Sequence, residues 1–130
     1  AFGLTNKVKY LGKKYGDEKH KYFLKADVFV FPTFYHNETF GLVNLEAMQY
    51  ALPIISTFEG GIPDVVQDGV TGLLVAQKNV EDLVERIETL INNGDLRFKM
   101  GENGRKRFRE KFTIRIFENC LNQILQQIAG

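Results

Sequence analysis

Two carboxylates, Glu38 and Glu46, stand eight positions apart in NETFGLVNLEAMQYALPIIST, residues 37 to 57, on either side of a Phe40-Gly41 pair. The apolar pattern predicts a helix over 40–51, which sets the acids about 10 Å apart along the axis at ~1.5 Å per residue. They therefore share neither one proton nor one metal easily. Phe40, Gly41 and Leu42 fall in the expected first turn, where backbone N–H groups lack intrahelical partners and the helix dipole favours an anion. Gly41 lets that anion come close to the backbone. Carboxylates beside a phosphate repel it, so their own ligands should be neutral hydroxyls, and a sugar diol offers two O–H donors to two carboxylate oxygens. The order is sugar, phosphate, sugar, which is the layout of a sugar nucleotide. Glu38 has a plainer alternative as a helix N-terminal charge, worth ~0.3–1 kcal/mol. Glu46 has a solvated face as its alternative, but it lies about 40° from Leu42 on a largely apolar helix, which predicts a cleft or a buried partner.

Positioning such a site requires an element of fixed direction before it and a strand after it. Four short apolar runs read as strands: VKYL at 8–11, VFVF at 28–31, PIIST at 53–57 and GLLV at 72–75. The second and third do not alternate, which suits strands covered on both faces of a parallel sheet. EKHKYFLKA at 18–26 and FGLVNLEAMQYA at 40–51 read as helices between them. GGIPDVVQDG at 60–69 reads as a loop, a short helix begun near Pro63, and a turn at Asp68-Gly69. From residue 79 the pattern is helical. Asn79 is the expected cap with Asp82 three residues on, Asn92-Asn93-Gly94 ends that helix, and a second runs from 95 to 112. After a break at Thr113, an apolar stripe of Ile114, Phe117, Leu121, Ile124, Leu125 and Ile128 marks the last helix. The fold class is α/β: a Rossmann-like parallel sheet flanked by helices with a helical C-terminus. A helix that follows a strand in such a sheet begins at its carboxyl edge, where open α/β folds bind ligands.

The totals exclude several classes. The 130 residues, 44% hydrophobic, suffice for one domain and one core. A formal charge of +1 gives no bulk reason to expect nucleic acid or an anionic membrane. The single cysteine, Cys120, makes no internal disulfide and is expected to be inert packing, and no Cys/His cluster has metal-ligand spacing. A reducing, cytoplasmic setting is expected. No run approaches the roughly 18 apolar residues that span a bilayer. GENGRKRFREKF at 101–112 concentrates positive charge, yet Arg107 and Lys111 fall over 120° from Arg105 and Arg109, so the expectation is a solvated helix. His20 and His36 are expected at the surface and in a loop.

Residues 26–75 resemble the donor-binding half of the retaining glycosyltransferase family 4 of the GT-B fold. The resemblance rests on ADVFVFP, the pair Glu38 and Glu46 around Phe40-Gly41, Glu46-Ala47-Met48, Leu52-Pro53, Gly60-Gly61-Ile62-Pro63, and Asp68-Gly69 with Gly72. It extends over roughly 12–112 with Tyr10-Leu11-Gly12 and the later helices. It implies a C-terminal donor lobe over 1–112, its first strands and the acceptor lobe lying outside the chain, with a helix over 113–130 packing on the lobe or toward the missing N-terminal lobe. It implies that Glu38 contacts the transferred sugar as the catalytic residue, acting by position and electrostatics, that the backbone at Phe40, Gly41 and Leu42 meets hydroxyls and phosphate, and that Glu46 holds the ribose. The turn Gly12, Lys13 and Lys14 would lie near the base. No cofactor or metal is expected; the expected partners are a nucleotide-diphosphate sugar and, through the missing lobe, a glycan or lipid-linked acceptor, with the inner face of a membrane as the setting of the full-length protein.

Two departures from the family pattern matter. Thr33, Phe34, Tyr35, His36 and Asn37 lengthen the loop before Glu38, and the family's basic Arg and Lys pair, which neutralises the diphosphate, has no counterpart here. A lone chain is thus expected to bind donor weakly and transfer nothing. Two other readings remain open: a non-catalytic Rossmann-like interaction module, and a sugar-nucleotide epimerase of the same architecture.

Overall fold

A computed structural model describes residues 3, 4 and 6–130. The elements run α1 (Gly16–Lys25), β1 (Phe29–Phe31), α2 (Leu42–Gln49), β2 (Ile54–Thr57), α3 (Ile62–Val65), β3 (Gly72–Val75), α4 (Val80–Asn92), α5 (Gly94–Lys111) and α6 (Ile114–Ala129). The strands form one parallel sheet in the order β1-β2-β3, with Phe29 beside Ile54 and Ile54 beside Gly72. Every residue of β2 and β3 is buried, as the unbroken apolar runs require when helices cover both faces.

Each face of the sheet has its own apolar cluster. Met48 and Ala47 from α2, Ile62 and Val65 from α3, and Phe23 from α1 meet Ile54 and Leu74 on one side. Ile55, Leu73 and Val75 meet Leu90 of α4 and Met100 of α5 on the other. Helix α5 serves both, since Phe108 and Phe112 near its C-terminal end pack with the first cluster. Its close approach to α2 needs glycine. A Cβ on Gly101 would overlap the carbonyl of Ala51, which itself takes a left-handed turn (φ 55°) after α2.

The cap expected at Asn79 is present, and the residues read as a helix end and a break, Asn93 and Thr113, prove to cap the helices that follow. The Asn79 side chain accepts the Asp82 N–H at 3.0 Å, Asn93 accepts that of Leu96 at 3.0 Å, and Thr113 accepts that of Ile116 at 3.4 Å. The expected short helix near Pro63 is α3, and Gly69 supplies the left-handed turn before β3.

Four expectations are corrected. Residues 8–11 form no strand: Val8 and Tyr10 are 68% and 94% exposed, because a parallel strand needs a neighbouring ladder and β1 pairs only with β2 among the described residues. The helix expected from residue 40 starts at Leu42, since Gly41 adopts φ 58°, ψ 59° and lies outside the helical path. The 101–112 segment is not merely solvated, because Arg107 donates from Nε to the Val65 carbonyl at 3.0 Å and from Nη2 to that of Asp64 at 2.7 Å. These bonds satisfy carbonyls at the end of a four-residue helix too short to cap itself. In α6 no residue is buried, and Cys120 is exposed rather than packed.

Gly101→Ala tests the α2–α5 contact. Alanine should gain ~1 kcal/mol of helix propensity yet lose more to overlap with Ala51, so urea unfolding is expected to report a net loss of ~1–3 kcal/mol.

Candidate functional site

The carboxyl edge of the sheet is held by side chains at the ends of β1 and β2. Ser56 Oγ donates to the Phe31 carbonyl at 2.8 Å, and Thr57 Oγ1 donates to the Thr33 carbonyl at 2.5 Å. The loop beyond then turns at residues 35–38, where the Glu38 N–H donates to the Tyr35 carbonyl at 2.8 Å. Its far end is fixed by the β2–α3 loop: the Gly61 N–H donates to the Thr39 carbonyl at 2.5 Å. A Cβ on Gly61 would stand 2.6 Å from that oxygen, and one on Gly60 (φ 51°) would overlap the Glu38 carbonyl. Gly60-Gly61 therefore sets the position of Glu38.

Glu38 is half-buried, and its Oε1 accepts the Gly41 N–H at 2.9 Å. The carboxylate thus occupies one of the amides expected to be bare. Among the described residues, the N–H groups of Leu42 and Val43 have no acceptor, whereas that of Asn44 bonds the Gly41 carbonyl at 2.8 Å. Two donors remain at the tip of α2, next to a fixed carboxylate. Phe40 and Leu42 are exposed there.

Gly41 is required by its surroundings as well as its φ. A Cβ would stand 2.6 Å from Asn44 Nδ2 and 3.2 Å from Ile62 Cγ1. Asn44 is fully buried, and neither its Nδ2 nor its Oδ1 has a partner among the described residues. An unpaired buried amide costs ~1–3 kcal/mol, so its place under the helix tip calls for an explanation. Sequence reasoning passed over Asn44; the signal was a polar residue inside the apolar run LVNLEAM.

Glu46, expected to face a cleft or a buried partner, pairs its Oε2 with Lys19 Nζ of α1, and both side chains are about one-third exposed. Nothing in the sequence near residue 19 marks that lysine among its charged neighbours. Beside it His20, expected at the surface, is half-buried and hydrogen-bonded through Nδ1 to the Tyr50 hydroxyl. Tyr50 in turn stacks on Phe23, which anchors α1 against the end of α2.

Gly12 and Lys13 are exposed on the segment before α1, and no bond among the described residues brings them to the α2 tip. Lys14 pairs with Glu18 at 2.6 Å, and this hydrogen bond holds its ammonium above the usual lysine range. The described residues contain no cluster of three or more His, Cys, Asp or Glu side chains suited to a metal ion. None of their helices is long and apolar enough to cross a membrane.

A helix tip at the carboxyl edge of a parallel sheet is where open α/β folds bind their ligands. The chain belongs to the family described as glycosyl transferases group 1, whose model matches residues 1–107. It is 37% identical over 121 residues to the capsular polysaccharide biosynthesis glycosyltransferase CapM of Staphylococcus aureus, covering 90% of this chain and 31% of CapM. Sucrose-phosphate synthase from Thermosynechococcus elongatus superposes with a TM-score of 0.84 at 30% identity, over 96% of this chain and 31% of that one. Anabaena HepE, crystallised with UDP, superposes with a TM-score of 0.87 at 24% identity, over 96% of this chain and 34% of HepE. The chain spans about a third of the length of the curated relatives it matches.

Gly41→Ala should cost ~2–4 kcal/mol, combining ~1–2 kcal/mol for the left-handed backbone with the crowding at Asn44 and Ile62. A thermal or urea midpoint equal to that of the unaltered chain would disprove the tight packing under the tip.

Proposed function

We propose that this chain holds the donor in a retaining transfer of a hexosyl group from a nucleotide-diphosphate sugar, as in family 4 of these enzymes. The observation that carries the reading is the pair of unpaired N–H groups at Leu42 and Val43, with Glu38 on one side and Glu46 on the other. The α2 tip would receive the diphosphate, and the backbone at Phe40, Gly41 and Leu42 would meet its oxygens and sugar hydroxyls. Glu38 would act on the transferred sugar by position and by electrostatic stabilisation of an oxocarbenium-like transition state. Releasing the Gly41 N–H would leave that donor free for the ligand. Glu46 would accept hydrogen bonds from the ribose diol, with Lys19 keeping the carboxylate oriented and adding positive charge. Gly12 and Lys13 would border the base.

In this reading the departing diphosphate is stabilised by helix amides without a resident metal or cofactor. The fold shared with a UDP-bound protein supports a nucleotide donor, and the likeness to a capsular polysaccharide enzyme supports a glycan or lipid-linked acceptor. The cytoplasmic side of a membrane is the proposed setting. The whole protein's transfer would need an acceptor lobe, so this chain alone is proposed to bind donor and not turn it over.

Calorimetric titration with UDP, GDP and ADP tests the reading. At least one should bind, and Glu46→Ala should weaken it about tenfold, since a hydrogen bond to a charged group is worth ~1.5 kcal/mol or more. No heat with any of the three would count against a competent site.

The exposed apolar side chains of α6, Phe117, Leu121, Ile124 and Ile128 among them, favour a second reading as an association module. In that case Leu121→Asp should abolish self-association in sedimentation velocity, and UDP should leave the melting temperature unmoved. A chain that is monomeric at high concentration would remove this reading.

A further inference from the structure

The loop that leads from β1 to Glu38 lines a cleft of about 410 Å³ with Thr33, Phe34, Tyr35 and His36, and Lys78 completes it. Its size is within the range of small-molecule sites. Four of the five lining residues come from the loop that is longer here than the family pattern leads one to expect. That loop is firmly built. Thr57 Oγ1 holds the Thr33 carbonyl at 2.5 Å, Thr33 Oγ1 accepts the Tyr35 N–H at 3.2 Å, and the Thr33 N–H donates to the Phe31 carbonyl at 3.0 Å. Phe34 and Tyr35 are nevertheless 55% and 62% exposed, an unusual use of two aromatic rings in an ordered turn.

The fifth residue arrives from the loop between β3 and α4 in an unfavourable backbone conformation. Lys78 has φ 57°, a region most side chains avoid. Neighbouring bonds impose it. Gln77 donates through Nε2 to the buried carboxylate of Glu59, and Asp82 Oδ2 accepts the Ala76 N–H at 3.3 Å. The result is an ammonium 5.1 Å from the centre of the Phe34 ring. Backbone strain that its surroundings over-determine clusters at ligand sites, and here it aims a cation into the cleft. No Asp or Glu lines the cleft among the described residues, so the face of Phe34 is all that the lining sets against the charge of Lys78.

We infer that this cleft binds a sugar carrying an anionic substituent, phosphate or carboxylate, as part of the acceptor. The inference rests on the donor reading, because only a sugar held at Glu38 makes the neighbouring cleft an acceptor position. An exposed aromatic ring offers a flat apolar face to the C–H side of a pyranose. A lysine supplies a point charge that suits either anion. The loop 33–37 joins the cleft directly to Glu38, so an acceptor seated there lies against the proposed position of the transferred sugar.

The test is titration of the isotope-labelled chain, followed by amide NMR, with glucose 6-phosphate, glucuronate, glucose and UDP. Both anionic sugars should saturably shift the amides of residues 33–36 and 78, with glucose at least fivefold weaker; the tighter of the two identifies phosphate or carboxylate. Lys78→Gly should weaken both at least tenfold while raising the melting temperature, because glycine accepts the left-handed backbone. Lys78→Gln, which keeps the stem without the charge, should weaken them similarly. Equal affinity for glucose, shifts confined to residues 39–46, or full binding by both variants would overturn the inference. UDP is expected to shift residues 39–46; its silence while the cleft still responds would remove the donor reading alone.

Discussion

The hydrogen bond from the Gly61 N–H to the Thr39 carbonyl is the constraint on which the rest of the site depends. Between the end of β1 and the start of α2 there are ten residues without regular structure, and an unsupported loop of that length would have no single position for Glu38. Two adjacent glycines let the β2–α3 loop pass at backbone distance, and the strands underneath are stitched by Ser56 and Thr57. Each of these contacts joins segments distant in the chain. The carboxylate is thus placed by the sheet, through the loop, and then returns to the Gly41 amide at the head of α2.

At the other acid the energetics are gentler. The Lys19–Glu46 pair is about one-third exposed on both sides, and an ion pair so placed contributes only ~0–1 kcal/mol. A diol could therefore join or replace the lysine at small cost. Glu46 is held in orientation without being locked, whereas Glu38 is held by backbone geometry. The two acids flank one helix tip under different degrees of restraint.

What was legible in the sequence follows physical range. The α/β class, the parallel sheet, α3 near Pro63, the cap at Asn79 and the helix breaks at Asn93 and Thr113 all depend on short-range patterns, and they are found where the residues point. The sheet could be read from 28–31, 53–57 and 72–75 because those runs pair with one another; 8–11 has the same composition but no ladder, and composition carries no information about partners. The acids at 38 and 46 were visible as a spacing. Lys19 and the Arg107 bonds to α3 were not, because they join residues 27 to 43 apart in the chain, and Asn44 showed only as a polar residue inside an apolar run, with nothing to say that its amide is left unpaired. Gly41 was expected inside the helix and instead precedes it, since a single left-handed residue leaves the apolar periodicity unchanged while altering which amides are free.

The chain's only thiol is exposed on a helix that has no buried residue of its own. Maleimide chemistry would therefore place one dye or spin label at Cys120 on the native sequence, with no cysteine to remove first. Emission from that dye would change as soon as anything settled over the oily side of the helix, so the protein already carries a reporter for whatever covers it.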